Sequence, residues 1–297
     1  MKCLPVIAVH GGAGHWRTKK SLEGILKYIE KSLTAGMESI LEKNAVEGVL
    51  KAVMVLEDSG EFNAGLGSVP NIDGEIEMDA GIMDGSRGDA GAVAAVRYVK
   101  NPVLLAYYVL KNTNHVLIVG EGADRLAEQL DLEKMPIRER QRRDPVLSSR
   151  FWARKEELIG DTVGAVGIDS ECRLAAASST GGLAGKLKGR VGDTPIPGAG
   201  FYADENVAVV ATGIGEVITL GALSRRVAEA WQATKRIEIA LRLVLNEVNV
   251  RYGENTVGLL GVDIYGNVHA EYNTEAMPWG YLRYGKNPVI KGLPTRM

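Results

Sequence analysis

Apolar positions fall in short blocks along the chain, and the spacing inside each block predicts the element it builds. The first block, residues 4–9 (LPVIAV), is short and continuous and stops at the glycines of HGGAG, residues 10–14. It predicts a buried strand that runs into a turn. Residues 20–32 and 45–58 instead place apolar side chains three and four apart, as with Val46, Val49, Leu50, Val53 and Leu56. That spacing predicts two helices flanking the first strand. A glycine-rich passage, 62–91, separates them from a strand at 92–99, a helix at 102–110 and an apolar run at 116–119.

From about residue 125 to residue 161 the chain turns polar and loses its periodicity, which is where a linker belongs. After it, apolar runs at 162–168 and 174–179 are joined through Asp169, Ser170 and Glu171. Runs at 259–264 and 268–272, joined through Tyr265, Gly266 and Asn267, repeat the device. Two such hairpins predict antiparallel pairing and argue against an all-parallel sheet. Between them the pattern predicts a strand at 207–211 and helices at 216–231 and 237–248. Hairpins with long helices to either side predict an α+β fold, with helices packed outside stacked, largely antiparallel sheets.

The 297 residues allow one large domain or two modest ones. A formal net charge of −2, with no long block of one sign, lacks the footprint of a nucleic-acid binder. The arginine-rich stretch 138–143 includes Glu139 and reads as a solvated linker. No apolar run approaches the about 20 residues that span a membrane, and the first block, broken by Pro5, does not read as a signal peptide. Only two cysteines occur, Cys3 and Cys172, so a reducing, cytoplasmic setting is the default expectation.

Metal and nucleotide chemistry find little support in the pattern. The four histidines, His10, His15, His115 and His269, form no HxxxH pair, and there is no CxxC. Neither GxxxxGK[ST] nor a well-placed GxGxxG occurs. His10, at the end of a buried strand, reads first as a structural histidine and second as an acid or base. Glycines gather at strand ends, in HGGAG, FNAGLGSV (62–69), SSTGG (178–182) and TGIGE (212–216). Such turns let backbone amides approach a ligand. At TGIGE a strand–turn–helix order would aim amides at developing negative charge, although a plain connection is the ordinary alternative.

The nucleophile candidates that remain are hydroxyls near these turns. Thr162 and Thr180 begin and end the first hairpin, so its fold brings them together. A threonine hydroxyl needs a base, and one solution is the residue's own α-amino group once the preceding peptide bond is cut. That amine, with a pKa of about 8, suits neutral pH. A threonine that opens a strand is ordinarily structural, and the residues alone leave both readings open.

Eight motifs in fixed order sharpen the choice. HGGAG, FNAGLGSV, EMDAGIMDG (77–85), GDTVGAVGID (160–169), SSTGG, GRVGDTPIPGAGFYAD (189–204), TGIGE and MPWG (277–280) together resemble the plant-type asparaginase and isoaspartyl peptidase family. The resemblance covers nearly the whole chain. It implies a single domain over 1–297 of the N-terminal nucleophile hydrolase type, a four-layer αββα sandwich. The domain would cut itself into subunits 1–161 and 162–297, with Asp161, Thr162 and Gly11 at the autocleavage site. It implies hydrolysis of asparagine to aspartate and ammonia, or of β-aspartyl peptides, in a homodimer of αβ units, with neither nucleic acid nor membrane as partner.

Residue by residue, the resemblance makes Thr162 the nucleophile, Thr180 its supporting hydroxyl and Thr212 the third active-site threonine. Asn63 would contribute to the oxyanion site, and Gly182 and Gly213 would touch the substrate. Arg190 would pair with the substrate's α-carboxylate, which suits a planar fork. Asp193 would hold its α-ammonium by opposite charge. A surface ion pair three residues apart is the plain alternative for these two. No cofactor for catalysis is implied, but a structural sodium ion is, held by backbone carbonyls of Leu56, Glu57, Ser59, Phe62, Ala64 and Leu66.

Two departures stand out. Ile214 replaces a residue that is polar or small in many relatives, which predicts a pocket of different polarity, and the linker is short and arginine-rich, which bears on processing speed rather than chemistry. Rival readings are a non-catalytic amino-acid-binding relative, a threonine endopeptidase with a longer insert, and a glycosylasparaginase, which would need a secretory signal and usually disulfides, neither of which the sequence is expected to offer.

Overall fold

The computed structural model describes residues 2–14, 16, 22–136 and 162–293. Asp161, His15, the arginine-rich stretch 138–143 and most of the expected linker lie outside the described residues. Strand β1 (Val6–His10) is buried along its whole length, as its uninterrupted apolar run requires. Helices α1 (Leu22–Glu42) and α2 (Ala45–Ser59) follow and pack against each other. The side chain of Asn44 accepts from Val46 N and Glu47 N to start α2, and Gly60, at φ 70°, ends it.

Next come β2 (Met78–Asp84), β3 (Asp89–Val96), α3 (Pro102–Asn112), β4 (Leu117–Val119) and α4 (Gly120–Gln129). Beyond residue 161 lie β5 (Val163–Ile168), β6 (Leu174–Thr180), β7 (Phe201–Ala203) and β8 (Val207–Gly213). Helices α5 (Gly215–Gly221), α6 (Leu223–Thr234) and α7 (Ile237–Tyr252) precede β9 (Val257–Asp263) and β10 (Val268–Tyr272). Strands β11 (Trp279–Arg283) and β12 (Val289–Lys291) close the chain.

Eight strands form one sheet in the order β12-β11-β1-β5-β6-β2-β3-β4, and four form a second in the order β10-β9-β8-β7. Within these sheets only β3 and β4 pair in parallel, so the antiparallel expectation holds. Period-two alternation along β1 separates two cores. Ile7 and Val9 join Ile29, Leu33 and Val53 beneath α1 and α2, while Val6 and Ala8 join Phe201, Val210 and Leu260 of the small sheet. On the small sheet's other strand face, Val209 and Ala211 meet Trp231 of α6 and Leu241 of α7. The two sheets approach closely: a Cβ on Gly81 would lie 2.1 Å from the Phe201 ring.

Several boundaries differ from the sequence pattern for local reasons. Helix α1 continues ten residues beyond Ser32, because apolar residues Leu33, Met37 and Ile40 keep the helical spacing. The glycine-rich passage hides β2, and the helix expected at 216–231 breaks at Ala222, which adopts φ 45°. The linker begins later than residue 125, since α4 runs to Gln129 and buries Ala123 and Ala127.

The default of free thiols also needs correction. Cys3 and Cys172 form a disulfide, their Cα atoms 5.2 Å apart, a separation the geometry of a cystine accommodates. The cysteine count therefore gives no argument for a reducing compartment. Among the described residues no helix is long and apolar enough to cross a membrane.

Candidate active site

The register of the first hairpin determines where the hydroxyls meet. Val163 pairs with Ser179, so Thr162, one residue before β5, sits opposite Thr180, the last residue of β6. Asp79 of β2 pairs with Thr180 from the other side. Strand β8 of the small sheet packs over β5 and β6, and its last residues, Thr212 and Gly213, reach the same end. All three threonines are buried.

One pocket gathers Thr162, Thr180, Gly182, Arg190, Asp193 and Gly213, with Leu183, Gly192, Thr194 and Gly215 completing its wall. Six of the residues singled out by the motifs therefore converge. Thr180 Oγ1 accepts from Gly182 N at 3.0 Å, which leaves the hydroxyl hydrogen available to another oxygen. Thr212 Oγ1 accepts from Ala13 N at 3.2 Å and stands behind the lining. Asn63 also stands behind it: Nδ2 donates to Gly182 O at 2.6 Å and Oδ1 accepts from Val69 N at 3.0 Å. Gly11 is set back too, its N–H donating to Pro278 O at 2.8 Å.

The charges are arranged differently from a surface pair. Arg190 turns its fork to Glu216, with Nε at 3.0 Å and Nη2 at 2.8 Å from Oε1. Asp193 is 4% exposed, and its Oδ2 has no hydrogen-bond partner among the described residues. Burial pushes its carboxyl up to about 7; Arg190 opposes that rise, and the charges of Glu216 and Asp79 add to it. A buried, unpartnered carboxylate oxygen facing a pocket is costly unless a cation arrives.

Buried charges also underlie the loop that carries these residues. Lys186 is 1% exposed and donates to Glu77 O at 3.0 Å. Glu77 in turn accepts from Gly189 N at 3.0 Å, next to Arg190. Burial lowers the Lys186 ammonium, while the carboxylates of Asp79 and Glu77 work against that shift.

His10 takes the structural role. Its Nδ1 accepts from Gly12 N at 3.2 Å, and burial lowers its pKa to about 3 against the opposing effect of the Thr162 backbone. The ring is neutral at ordinary pH and serves as packing beside Thr162: a Cβ on Gly164 would lie 2.4 Å from Nε2. Ile214 does not make the pocket less polar, because its side chain joins the core under α6 and α7 instead. Glu216 was readable as part of TGIGE, yet that motif drew attention only to backbone amides. Leu183, Gly192, Thr194 and Gly215 carry no chemical signal of their own.

Comparison with known proteins gives the arrangement a family. A family model described as "Asparaginase" matches residues 3–290. The chain is similar to a plant-type L-asparaginase of Pyrobaculum calidifontis, 45% identical over 294 residues that cover 95% of this chain and 98% of that one. It is similar to a plant-type L-asparaginase of Pyrococcus abyssi, 38% identical over 98% of this chain and 100% of the relative. An isoaspartyl peptidase/L-asparaginase of Danio rerio is 38% identical over 95% of this chain and 94% of its own length. With motifs, pocket and relatives in agreement from end to end, the chain belongs to the asparaginase family.

Proposed function

We propose that the protein is a self-cleaving threonine amidohydrolase that converts asparagine to aspartate and ammonia and hydrolyses β-aspartyl peptides. The observation that carries this reading is the pocket itself, which Thr162 and Thr180 line together with Arg190 and with Asp193, whose Oδ2 has no hydrogen-bond partner among the described residues. Maturation begins when Thr162 Oγ attacks the carbonyl carbon of Asp161. The acyl group moves from nitrogen to oxygen, water hydrolyses the ester, and Asp161 leaves as a carboxylate. Thr162 then holds a free α-amine and a free hydroxyl.

In turnover the amine accepts the Oγ proton as Oγ attacks the side-chain carbonyl of the substrate. Thr180 orients Oγ through its hydroxyl. The oxyanion is stabilised by donors set near Gly182 and Gly213, Asn63 contributing from behind by holding Gly182 O through Nδ2. The proton returns to the leaving ammonia or amine, and water releases aspartate from the ester. Arg190 takes the α-carboxylate and Asp193 the α-ammonium, so both ends of the aspartyl unit are held while the leaving group points outward. An endopeptidase would need those two ends free for chain, and a non-catalytic binder would have no need of the paired hydroxyls.

Three finer readings belong to the same proposal. The order of helices, large sheet, small sheet and helices supports the four-layer αββα sandwich. Carbonyl oxygens crowd the loop after α2, where a Cβ on Gly67 would lie 1.8 Å from Phe62 O and 3.0 Å from Gly60 O, and one on Gly65 would lie 2.6 Å from Glu57 O. Backbone carbonyls are the donors a structural sodium ion would take there, although Glu57 Cβ also lies close to Gly65, and Leu56 O and Phe62 O already accept from Ser59 Oγ and Ala64 N. A homodimer of αβ units in the cytoplasm completes the reading.

Intact-mass analysis of the purified protein after reduction should find fragments 1–161 and 162–297, and ammonia should appear from asparagine. Thr162→Ala should stay whole and release none. A parent chain that stays whole and inactive would favour the amino-acid-binding relative.

A further inference from the structure

Cys3 and Cys172 lie on opposite sides of residue 162, one just ahead of β1 and the other in the turn between β5 and β6. In an uncut chain their bond closes a loop of 169 residues in sequence separation. In a chain cut before Thr162 the same bond joins two polypeptides. We propose that the Cys3–Cys172 disulfide is the covalent link between the two subunits of the mature enzyme, so that the subunits can part only after reduction. The proposal rests on the self-cleavage described above.

The backbone presents both cysteines for this bond. Cys3 N donates to Ser170 O at 3.2 Å, which continues the pairing of β1 with β5 past Val6 and Ile168. Asp169 shapes the turn that carries Cys172. Its Oδ1 accepts from Glu171 N at 2.9 Å and Arg173 N at 3.1 Å, and its carbonyl accepts from Cys172 N at 3.0 Å. Oδ2 of the same carboxylate binds Arg173 Nε at 2.8 Å and Ala45 N, at the start of α2, at 3.1 Å. Cys172 is thereby held at φ 63°, a left-handed conformation uncommon for a residue with a side chain.

Two features separate this bond from the chemistry. It lies at the Ile168 end of β5, whereas Thr162 precedes the Gly164 end. Both cysteines are also partly exposed, so a small thiol can reach them. Formation is a two-step exchange with a low-molecular-weight disulfide such as oxidised glutathione. The two thiols lose two protons and two electrons as the Sγ–Sγ bond forms, and the oxidant is reduced to two thiols.

The test uses the purified full-length product, alkylated with iodoacetamide and then run on denaturing gels with and without dithiothreitol. The expected result is one band of whole-chain mass without reductant and two bands with it. Thiol titration in guanidinium should give no free thiol before reduction and two afterwards. Two bands without reductant would overturn the proposal while leaving self-cleavage intact. One band under both conditions would overturn self-cleavage and the link together. Cys3→Ser and Cys172→Ala should each give two bands under either condition and keep the parent's kcat/KM, while losing activity at a temperature several degrees lower.

Discussion

Asp193 lines the pocket with its carboxyl pushed up to about 7 by burial, so the grip on an α-ammonium proposed for it would depend on pH near neutrality. Below that value the group is protonated and offers no charge; above it the carboxylate is present. A bound ammonium favours the charged form and draws the pKa down again. For asparagine, kcat/KM should therefore rise as pH climbs through about 7, whereas kcat should lack this limb. The amine of Thr162, with an ordinary pKa of about 8, contributes a limb to both. Asp193→Asn should remove the lower limb from the kcat/KM profile, and a variant that keeps it would release Asp193 from substrate binding. Arg190 makes a complementary case. Losing a desolvated charge pair costs about 2 to 5 kcal/mol, so Arg190→Ala should lower kcat/KM at least tenfold in fully self-cleaved protein. Arg190→Lys should recover only part, since an ammonium lacks the fork that now grips Glu216. Equal turnover of N-acetylated asparagine would contradict both assignments.

Strand β8 and helix α5 meet the pocket through a backbone that tolerates no side chain. Gly213 has φ 129°, and a Cβ there would lie 2.2 Å from Thr256 O, while its neighbour Ile214 donates to the same oxygen at 2.8 Å. Gly213→Ala should cost about 1 to 3 kcal/mol from backbone strain, seen as a lower urea midpoint, and should shift the wall facing Thr162. An unchanged midpoint would mean that the turn relaxes freely. Elements of this kind were unevenly legible. The β5–β6 hairpin could be read because β5 and the first half of β6 carry no charged or amide side chain and Asp169 marks the turn. Strand β2 could not, since Gly81 and its neighbours read as loop until the Phe201 ring is seen filling the space above them. Strands β7 and β12 are three residues long, too short to show alternation. The site was legible through motif order rather than periodicity: Arg190 and Asp193 look like a surface pair by spacing, and only the fold shows one bound to Glu216 and the other buried. The cystine lay beyond any local pattern, because its halves are brought together by β1 entering the sheet beside β5.

In the molecule as a whole, the large sheet interleaves the two sides of the proposed cut. Strands β1 to β4 come from residues before 162, yet β1 lies between β11 and β5, both from after it. Neither part can complete the sheet by itself. Residues 1–161 produced alone should expose both edges of β1 and aggregate, as open strand edges do; co-production with 162–297 should restore soluble protein. A soluble, monomeric first fragment would contradict this. The interleaving also bears on the order of events at the ribosome. A nascent chain that has just extruded Thr162 has a lone β1, no β8 to cover that threonine, and no β11 on the far side, since β11 begins only at Trp279. The surroundings that would activate the hydroxyl cannot assemble until translation is nearly finished. Synthesis would thus act as a clock for the proposed cut, and a truncated product would be left whole rather than severed into useless halves.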